Sequence, residues 1–439
     1  MDFKNKKIAV VGEGLEGKSA VVFLEKQGAI VEIRDKTQSE GYLKDLDKFD
    51  LVVRSPGIRL SDIIIQNSKF IIQKVTSQTK LFFDLCPAPI IGVTGTKGKG
   101  TTSSLIYEIL KADGRDVYLG GNIGIPPLDF LEKLTSESWV VLELSSFQLA
   151  DLTKSPHIAV MLMTTSEHLD YHKNVEEYVD AKRNILTHQM ENDFAIVNRD
   201  YPPSNESDIL TNGKIYYVSR EREVEEGCFA LGNQVILRTN GNSIPLIDTR
   251  ELLLRGEHNQ ENVCAATIAA YLAGVKVGTI IKTLQSFKGL EHRLELVGKI
   301  NGVEYYNDSF STVPETAIAA IKSFQNPEIL LLGGSSKQSN FEELGKVIGE
   351  SENIKAIIQI GEEWNRIKAE IKTVRPETLI IEGAKNMEQV ITAASKLAVP
   401  GDVVILSPAA ASFDKFKNYK DRGNQFKEEV KRLKENSSQ

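Results

Sequence analysis

Cysteine is scarce in this 439-residue chain: Cys86, Cys228 and Cys264 stand far apart, with no CxxC spacing. That argues against a disulfide framework and against a zinc site. Long apolar runs are also missing. No stretch approaches the ~20 residues of a membrane span, and Met1-Asp2-Phe3-Lys4-Asn5-Lys6-Lys7 lacks the apolar core of a signal peptide. Nor is there an excess of basic residues: 53 Lys and Arg stand against 60 Asp and Glu, a net charge of −7. Nothing therefore suggests a broad surface for nucleic acid or another polyanion. Internal repeats and low-complexity segments are not found. These absences lead to the expectation of a cytoplasmic protein that spans no membrane and binds no nucleic acid.

What is present is an ordinary globular composition, 41% apolar and 26% charged. The length allows roughly two to four domains. Short β-branched runs alternate with helical patterns almost throughout, the signature of parallel α/β sheets. Lys7-Ile8-Ala9-Val10-Val11, Ile30 to Asp35 and Leu51-Val52-Val53 read as strands of a first unit, which closes near Cys86-Pro87-Ala88-Pro89. A second unit starts with Ile90-Ile91-Gly92-Val93 and continues through strands at 139–143, 157–162 and 194–197. The stretch from about Lys214 to Leu254 reads as short antiparallel strands, with turns at Gly232-Asn233 and Asn240-Gly241. A helix follows from His258 to about Ala273. The pattern restarts near Gly289, with strands expected at 303–306, 329–332, 356–360 and 403–406 and a polar helix from Asn424 to about Asn436. Three tandem α/β domains, at 1–88, 89–289 and 290–439, are the simplest reading.

The most informative segment is Gly95-Thr96-Lys97-Gly98-Lys99-Gly100-Thr101, between a buried strand and a helix. Such a turn points backbone N–H groups at one spot over the positive helix terminus, the lysine adds a full charge, and a following hydroxyl reaches a magnesium ion. It reads as a nucleoside triphosphate cradle, though it lacks the first glycine of a regular Walker loop and has Gly100 where Ser or Thr is usual. Gly12-Glu13-Gly14-Leu15-Glu16-Gly17 matches GxGxxG after a strand, with Asp35 ending the next one. Those residues suit a nucleotide diphosphate, or simply a tight turn. Beside the second loop, a nucleotide-linked substrate is the better ligand for it than a dinucleotide cofactor.

Other polar residues fall at strand ends. Glu143 closes a strand next to the phosphate loop, where magnesium is held in phosphoryl-transfer sites, or where a plain surface glutamate can stand. His168 and Asp170 follow another buried strand. Lys182, on a helical stretch from Val175 to His188, reads by default as a solvated lysine. Asn259 and Asn262 share one helix face, suited to an adenine edge or, more simply, to capping. His292-Arg293, Asn307-Asp308-Ser309, Gly333 to Lys337 and Ser407 to Asp414 offer hydroxyls, a lysine and backbone N–H groups of the kind that hold a small dicarboxylate or amino acid.

In this order the motifs resemble the Mur ligases over essentially the whole chain. Glu143-Leu144-Ser145-Ser146-Phe147-Gln148-Leu149 and Ser412 to Lys417 are closest to the branch that adds D-glutamate. The resemblance implies a Rossmann-like N-terminal domain for a UDP-sugar peptide, a central P-loop-type ATPase domain, and a C-terminal Rossmann-like domain for the amino acid. It implies ATP contacts at Gly95, Thr96, Lys97, Gly98, Lys99, Gly100, Thr101, Asn259, Asn262, Arg293 and Asp308. The UDP-substrate positions are Gly14, Leu15, Glu16, Asp35, Lys36, Gly57, Asn122 and Ser145, and those for D-glutamate are Thr312, Lys337, Ser412 and Tyr419. Magnesium falls to Thr101, Glu143, His168 and Lys182, with Lys182 carbamoylated and Lys99, His168 and Lys182 catalytic.

The implied reaction is ATP-dependent addition of D-glutamate to UDP-N-acetylmuramoyl-L-alanine, carried out by a monomer. Four positions depart from the family pattern: Lys97 stands for a usual Asn, Gly100 for a frequent Ser, Phe310 for a lysine after Asn-Asp-Ser, and Ser77-Gln78-Thr79-Lys80-Leu81 lacks a common acidic residue. Lys97 and Gly100 also fit a folylpolyglutamate synthetase, but the ~88 residues before the loop argue against that reading. A non-catalytic ATP-binding regulator leaves Glu143, His168 and Lys182 without a joint purpose, and a dehydrogenase leaves the second loop unexplained.

Overall fold

Period-two alternation builds each sheet from strands whose neighbouring residues feed opposite faces. In β1 (Lys7–Val11), Ile8 and Val10 join one apolar cluster and Ala9 and Val11 another. With β2 (Ile30–Arg34), β3 (Leu51–Arg54) and β4 (Val75–Ser77) it forms a parallel sheet in the order β2-β1-β3-β4. A computed structural model describes residues 1–165, 167, 171–254, 256–336 and 339–437.

The second sheet has nine strands. They are β5 (Ile90–Thr94), β6 (Val117–Gly121), β7 (Trp139–Glu143), β8 (Ile158–Met161), β9 (Phe194–Asn198), β10 (Lys214–Ser219), β11 (Gly227–Leu231), β12 (Gln234–Thr239) and β13 (Asn242–Asp248). The order is β13-β12-β11-β10-β9-β8-β5-β7-β6. Only β11 to β13 are antiparallel, joined at the two expected turns, where Gly232, Asn240 and Gly241 have positive φ. Strand β10, expected to be antiparallel, runs parallel to both β9 and β11. The segment from Arg220 to Glu226 is long enough to carry the chain back to the starting end, which a two-residue turn is not.

A third sheet holds β14 (Glu295–Ile300), β15 (Val303–Asn307), β16 (Glu328–Leu332), β17 (Ile354–Gln359), β18 (Ile380–Ile381) and β19 (Val403–Leu406), in the order β14-β15-β19-β16-β17-β18. All its pairs are parallel except β14 with β15. The chain divides into two compact units, Met1–Glu251 with Gln260–Ser286, and Leu252–Asn259 with Phe287–Gln439. The first unit contains the first two sheets, and one apolar cluster runs through both, from Ile8 and Val10 by way of Phe82 and Phe130 to Leu142 and Met161. Among the described residues no helix is long and apolar enough to cross a membrane.

The strand orders place the loops that matter. Strand β1 lies between β2 and β3, and β5 between β8 and β7, so the segments that follow β1 and β5 leave their sheets at switch points. Open α/β sheets bind ligands there, outside the carboxyl ends of the strands. In the third sheet the ends of β15, β19 and β16 are neighbours, which groups Asp308, Ser407 and Gly333 at one edge.

Candidate active site

The loop after β5 is shaped by glycines that tolerate no side chain. Gly95 has φ +151° and Gly98 φ +87°; a Cβ on Gly98 would lie 2.2 Å from Asn262 Oδ1. Asn262 also accepts from Thr102 Oγ1 at 3.2 Å, so its side chain buttresses the loop. Helix Lys99–Ala112 begins directly on this turn, with Gly98 as its N-cap. Lys99 Nζ donates to the carbonyls of Gly95 and Thr96, both at 3.0 Å. Thr96 is pinned through its N–H to Met163 O at 2.7 Å and through its hydroxyl to Tyr178 OH at 3.0 Å. At the exposed tip, Lys97 pairs with Glu167 at 3.0 Å.

Lys182 overturns the default reading of a solvated lysine. It lies on helix Val175–Arg183, is 1% exposed, and donates to Gly95 O at 2.9 Å with its ammonium 4.7 Å above the Tyr178 ring. Burial, and then the neighbouring Lys99 charge, pull its pKa down to about 7. Two lysines thus converge on one carbonyl oxygen. Glu143, buried at the end of β7, accepts from Asn122 Nδ2 at 2.9 Å, and Asn122 N–H bonds Glu143 O at 2.9 Å. His168 and Asp170 lie outside the described residues.

The first glycine loop divides by cause. A Cβ on Gly17 would lie 1.9 Å from Gly12 O, and one on Gly12 2.7 Å from Ser55 Oγ, so both positions are required by packing. A Cβ on Gly14 meets nothing within 4 Å. Gly14, Lys36 and Gly57 are exposed and Leu15 is 72% exposed. Asp35 accepts from the Glu13 N–H at 2.8 Å and from Thr37, so it holds the loop itself. Glu16 Oε1 accepts from Gln148 Nε2 at 2.8 Å, and burial raises the Glu16 pKa to about 7. Gln148 in turn completes a capping box with Ser145 at the start of helix Ser146–Leu149.

In the second unit, Asp308 is buried at the end of β15. It accepts from Ser407 Oγ at 2.8 Å, from Leu294 N–H at 3.1 Å and from Ser311 Oγ. Burial raises its pKa to about 6 against those hydrogen bonds. Arg422, fully buried, donates to Ser309 Oγ and O, both at 2.9 Å, and to the carbonyls of Ala410 and Ala411. It thereby ties the turn after β15, which carries Asp308, to the segment carrying buried Ser412. Thr312 and Tyr419 are half-buried nearby in sequence, and Lys337 lies outside the described residues. Asn259 is buried, with its N–H on Gly256 O at 3.0 Å.

The family model of the Mur ligase middle domain matches residues 93–270, and that of the Mur ligase glutamate ligase domain matches residues 292–410. A UDP-N-acetylmuramoylalanine–D-glutamate ligase of Acetivibrio thermocellus is 39% identical over 455 residues, covering 97% of this chain and 96% of its own. The relative of the same name from Clostridium acetobutylicum is 37% identical, covering 98% and 97%. The chain belongs to the Mur ligase family. Solved structures agree on the α/β fold. The MurF ligase of Thermotoga maritima in complex with ADP aligns with a TM-score of 0.59 at 18% identity, over 98% of this chain and 96% of that one. The UDP-N-acetylmuramate–alanine ligase MurC of Thermotoga maritima gives 0.60 at 15% identity, over 99% and 100%.

One residue of this Mur ligase escaped the sequence reading. Arg54, 1% exposed, forms a two-pronged ion pair with Asp151 at 2.8 and 2.7 Å and donates to Ile58 O at 2.9 Å. Its signal was an arginine closing the otherwise apolar run Leu51-Val52-Val53. Through it the Ser55-Pro56-Gly57 turn is tied to the end of the Ser145–Leu149 segment.

Proposed function

We propose that this chain joins D-glutamate to UDP-N-acetylmuramoyl-L-alanine at the expense of ATP, as a monomer in the cytoplasm, with domains at 1–88, 89–289 and 290–439. The observation that carries the reading is near-full-length similarity to relatives of that name, at 39% and 37% identity. ATP phosphorylates the alanyl carboxylate, the D-glutamate amine attacks the resulting acyl phosphate, and collapse of the tetrahedral intermediate releases phosphate and leaves an amide. The N–H groups of Gly95 to Thr101 and the Lys99 ammonium hold the phosphates. Asn259, Asn262, Arg293 and Asp308 serve the nucleotide; Gly14, Leu15, Glu16, Asp35, Lys36, Gly57, Asn122 and Ser145 the UDP substrate; Thr312, Lys337, Ser412 and Tyr419 the glutamate.

The donor set fits magnesium in a specific way. Among the described residues no three His, Cys, Asp or Glu side chains cluster as a metal cage. Magnesium in phosphoryl-transfer sites needs only one or two carboxylates beside phosphate oxygens and water. Glu143 is such a carboxylate and Thr101 such a hydroxyl. Lys182 as a cation repels a metal; as a carbamate it offers anionic oxygens, with His168 as a further ligand. Bound there, the ions would neutralise charge developing on the transferred phosphoryl group.

The test is phosphate release from ATP with three substrate pairs: UDP-N-acetylmuramoyl-L-alanine with D-glutamate, the same with L-glutamate, and a folate with L-glutamate. Release with the first pair is expected; release only with the folate overturns the assignment. Lys182→Ala should lose activity and recover part of it with a short carboxylic acid, and full activity without one would sink the carbamate.

A further inference from the structure

Phe310 has no task in the reaction set out above, yet it touches residues that do. The Arg293 guanidinium carbon lies 4.0 Å from its ring centroid. The ring of Tyr419 lies 5.0 Å away at 88°, a T-shaped pair, and Tyr419 meets His292 at 6.0 Å and 86°. The backbone on either side of Arg293 is unusual for residues with side chains: His292 has φ +65° and Leu294 φ +43°. This strap is tied at both ends to the turn that follows β15, by Phe310 N–H to His292 O at 3.0 Å and Leu294 N–H to Asp308 Oδ1 at 3.1 Å. Those tethers fix the Arg293 backbone, and the ring lies against the end of its long side chain.

We propose that Phe310 is a positioning residue. Its face seats the Arg293 guanidinium beside Asp308 for the nucleotide, and the same ring braces Tyr419 on the amino-acid side. The inference rests on the assignment of Arg293 and Asp308 to the nucleotide. Burial does not explain the ring, which is 36% exposed. A guanidinium over an aromatic face, by contrast, is attracted by the ring quadrupole at any centroid distance under ~6 Å. Where Mur ligases often carry lysine after Asn-Asp-Ser, this chain seats an arginine on a ring, so a cation still stands at that turn.

The test compares Phe310→Leu, which keeps bulk and loses the π face, with Phe310→Tyr, which keeps both. ADP binding to the full chain in magnesium chloride is measured by calorimetry, alongside KM for ATP and for D-glutamate. Phe310→Leu should weaken ADP and raise the ATP KM about two- to five-fold, with an unchanged melting temperature, and Phe310→Tyr should restore both. In an Arg293→Ala background the Leu substitution should have no further effect on ADP. Parental ADP affinity in Phe310→Leu, or equal losses in Leu and Tyr, would overturn the platform. A parent chain that binds no ADP would overturn the nucleotide assignment, and the proposal with it.

Discussion

Replacing Arg54 by Met should destabilise the first unit by about 3–5 kcal/mol, the usual consequence of stranding one partner of a buried ion pair. The structure sets that size. Arg54 is 1% exposed and Asp151, with a side chain 16% exposed, accepts from Nε at 2.8 Å and stands 2.7 Å from Nη2. Without the guanidinium, the largely buried Asp151 carboxyl loses its cationic partner and the carbonyl of Ile58 loses its donor, while Pro56 O keeps the Tyr171 hydroxyl at 3.1 Å. For a unit of this size the loss corresponds to roughly 5–9 °C in melting temperature. The double variant Arg54→Met with Asp151→Leu removes both charges and should regain most of the stability, because a well-packed apolar pair replaces a buried ion pair at little net cost. Trp139 lies in the first unit and Trp364 in the second, so urea unfolding followed by fluorescence in a Trp364→Phe background reports the first unit alone. A single variant within 1 kcal/mol of the parent, or a double variant as unstable as the single, would refute the reasoning.

Gly14→Ala should leave melting unchanged and raise KM for the UDP substrate, since its Cβ meets no protein atom, whereas Gly17→Ala should unfold early because its Cβ would strike Gly12 O at 1.9 Å; matching melting curves would remove the distinction. Glu328 is fully buried with one partner, Asn353 Nδ2 at 2.7 Å, and burial raises its pKa from 4.5 to about 8. Between those values the folded chain binds the extra proton, so this group lowers stability progressively as pH rises from 4.5 to 8 and has no further effect above. Glu328→Gln should therefore gain on the parent over that window, by about 3 kcal/mol at pH 7, in denaturant titrations across pH; a pH-independent difference would show that Glu328 does not titrate there.

The shapes of the loops were legible because glycines mark them. Those at 95 and 98 take positive φ between a buried strand and a helix, as the spacing predicts, and the turns at 232–233 and 240–241 specify their own hairpins. Strands β4, β6, β14 and β18 were missed because they are short or carry Gly120, Gly121 and Gly298, which weaken the β signal. The burial of Lys182 could not be read from its helix, where a lysine beside Tyr178 and Ala181 looks like a solvated edge. Its acceptor, Gly95 O, is 87 residues away. Arg54 and Asp151 are 97 apart, and Glu16 and Gln148 are 132 apart. Local pattern fixes which elements form, but pairings over such separations are decided by how the strands order themselves.

The two lysines on the Gly95 carbonyl carry the deepest consequence of that ordering. Side by side and largely removed from water, two ammonium groups repel each other, and the carbonyl they share offsets only part of the repulsion. Two events relieve the strain: one amine gives up its charge, or an anion arrives. A Lys182 that lost its proton would be a neutral amine able to add CO₂ and, on giving up a second proton, to become an anion beside Lys99. In the proposed reaction a triphosphate on the loop would add negative charge beside both lysines. An apolar residue at 182 would remove the repulsion but also the hydrogen bond to Gly95 O and the contact with the Tyr178 ring, so a buried lysine there suits a site whose charge changes during its work.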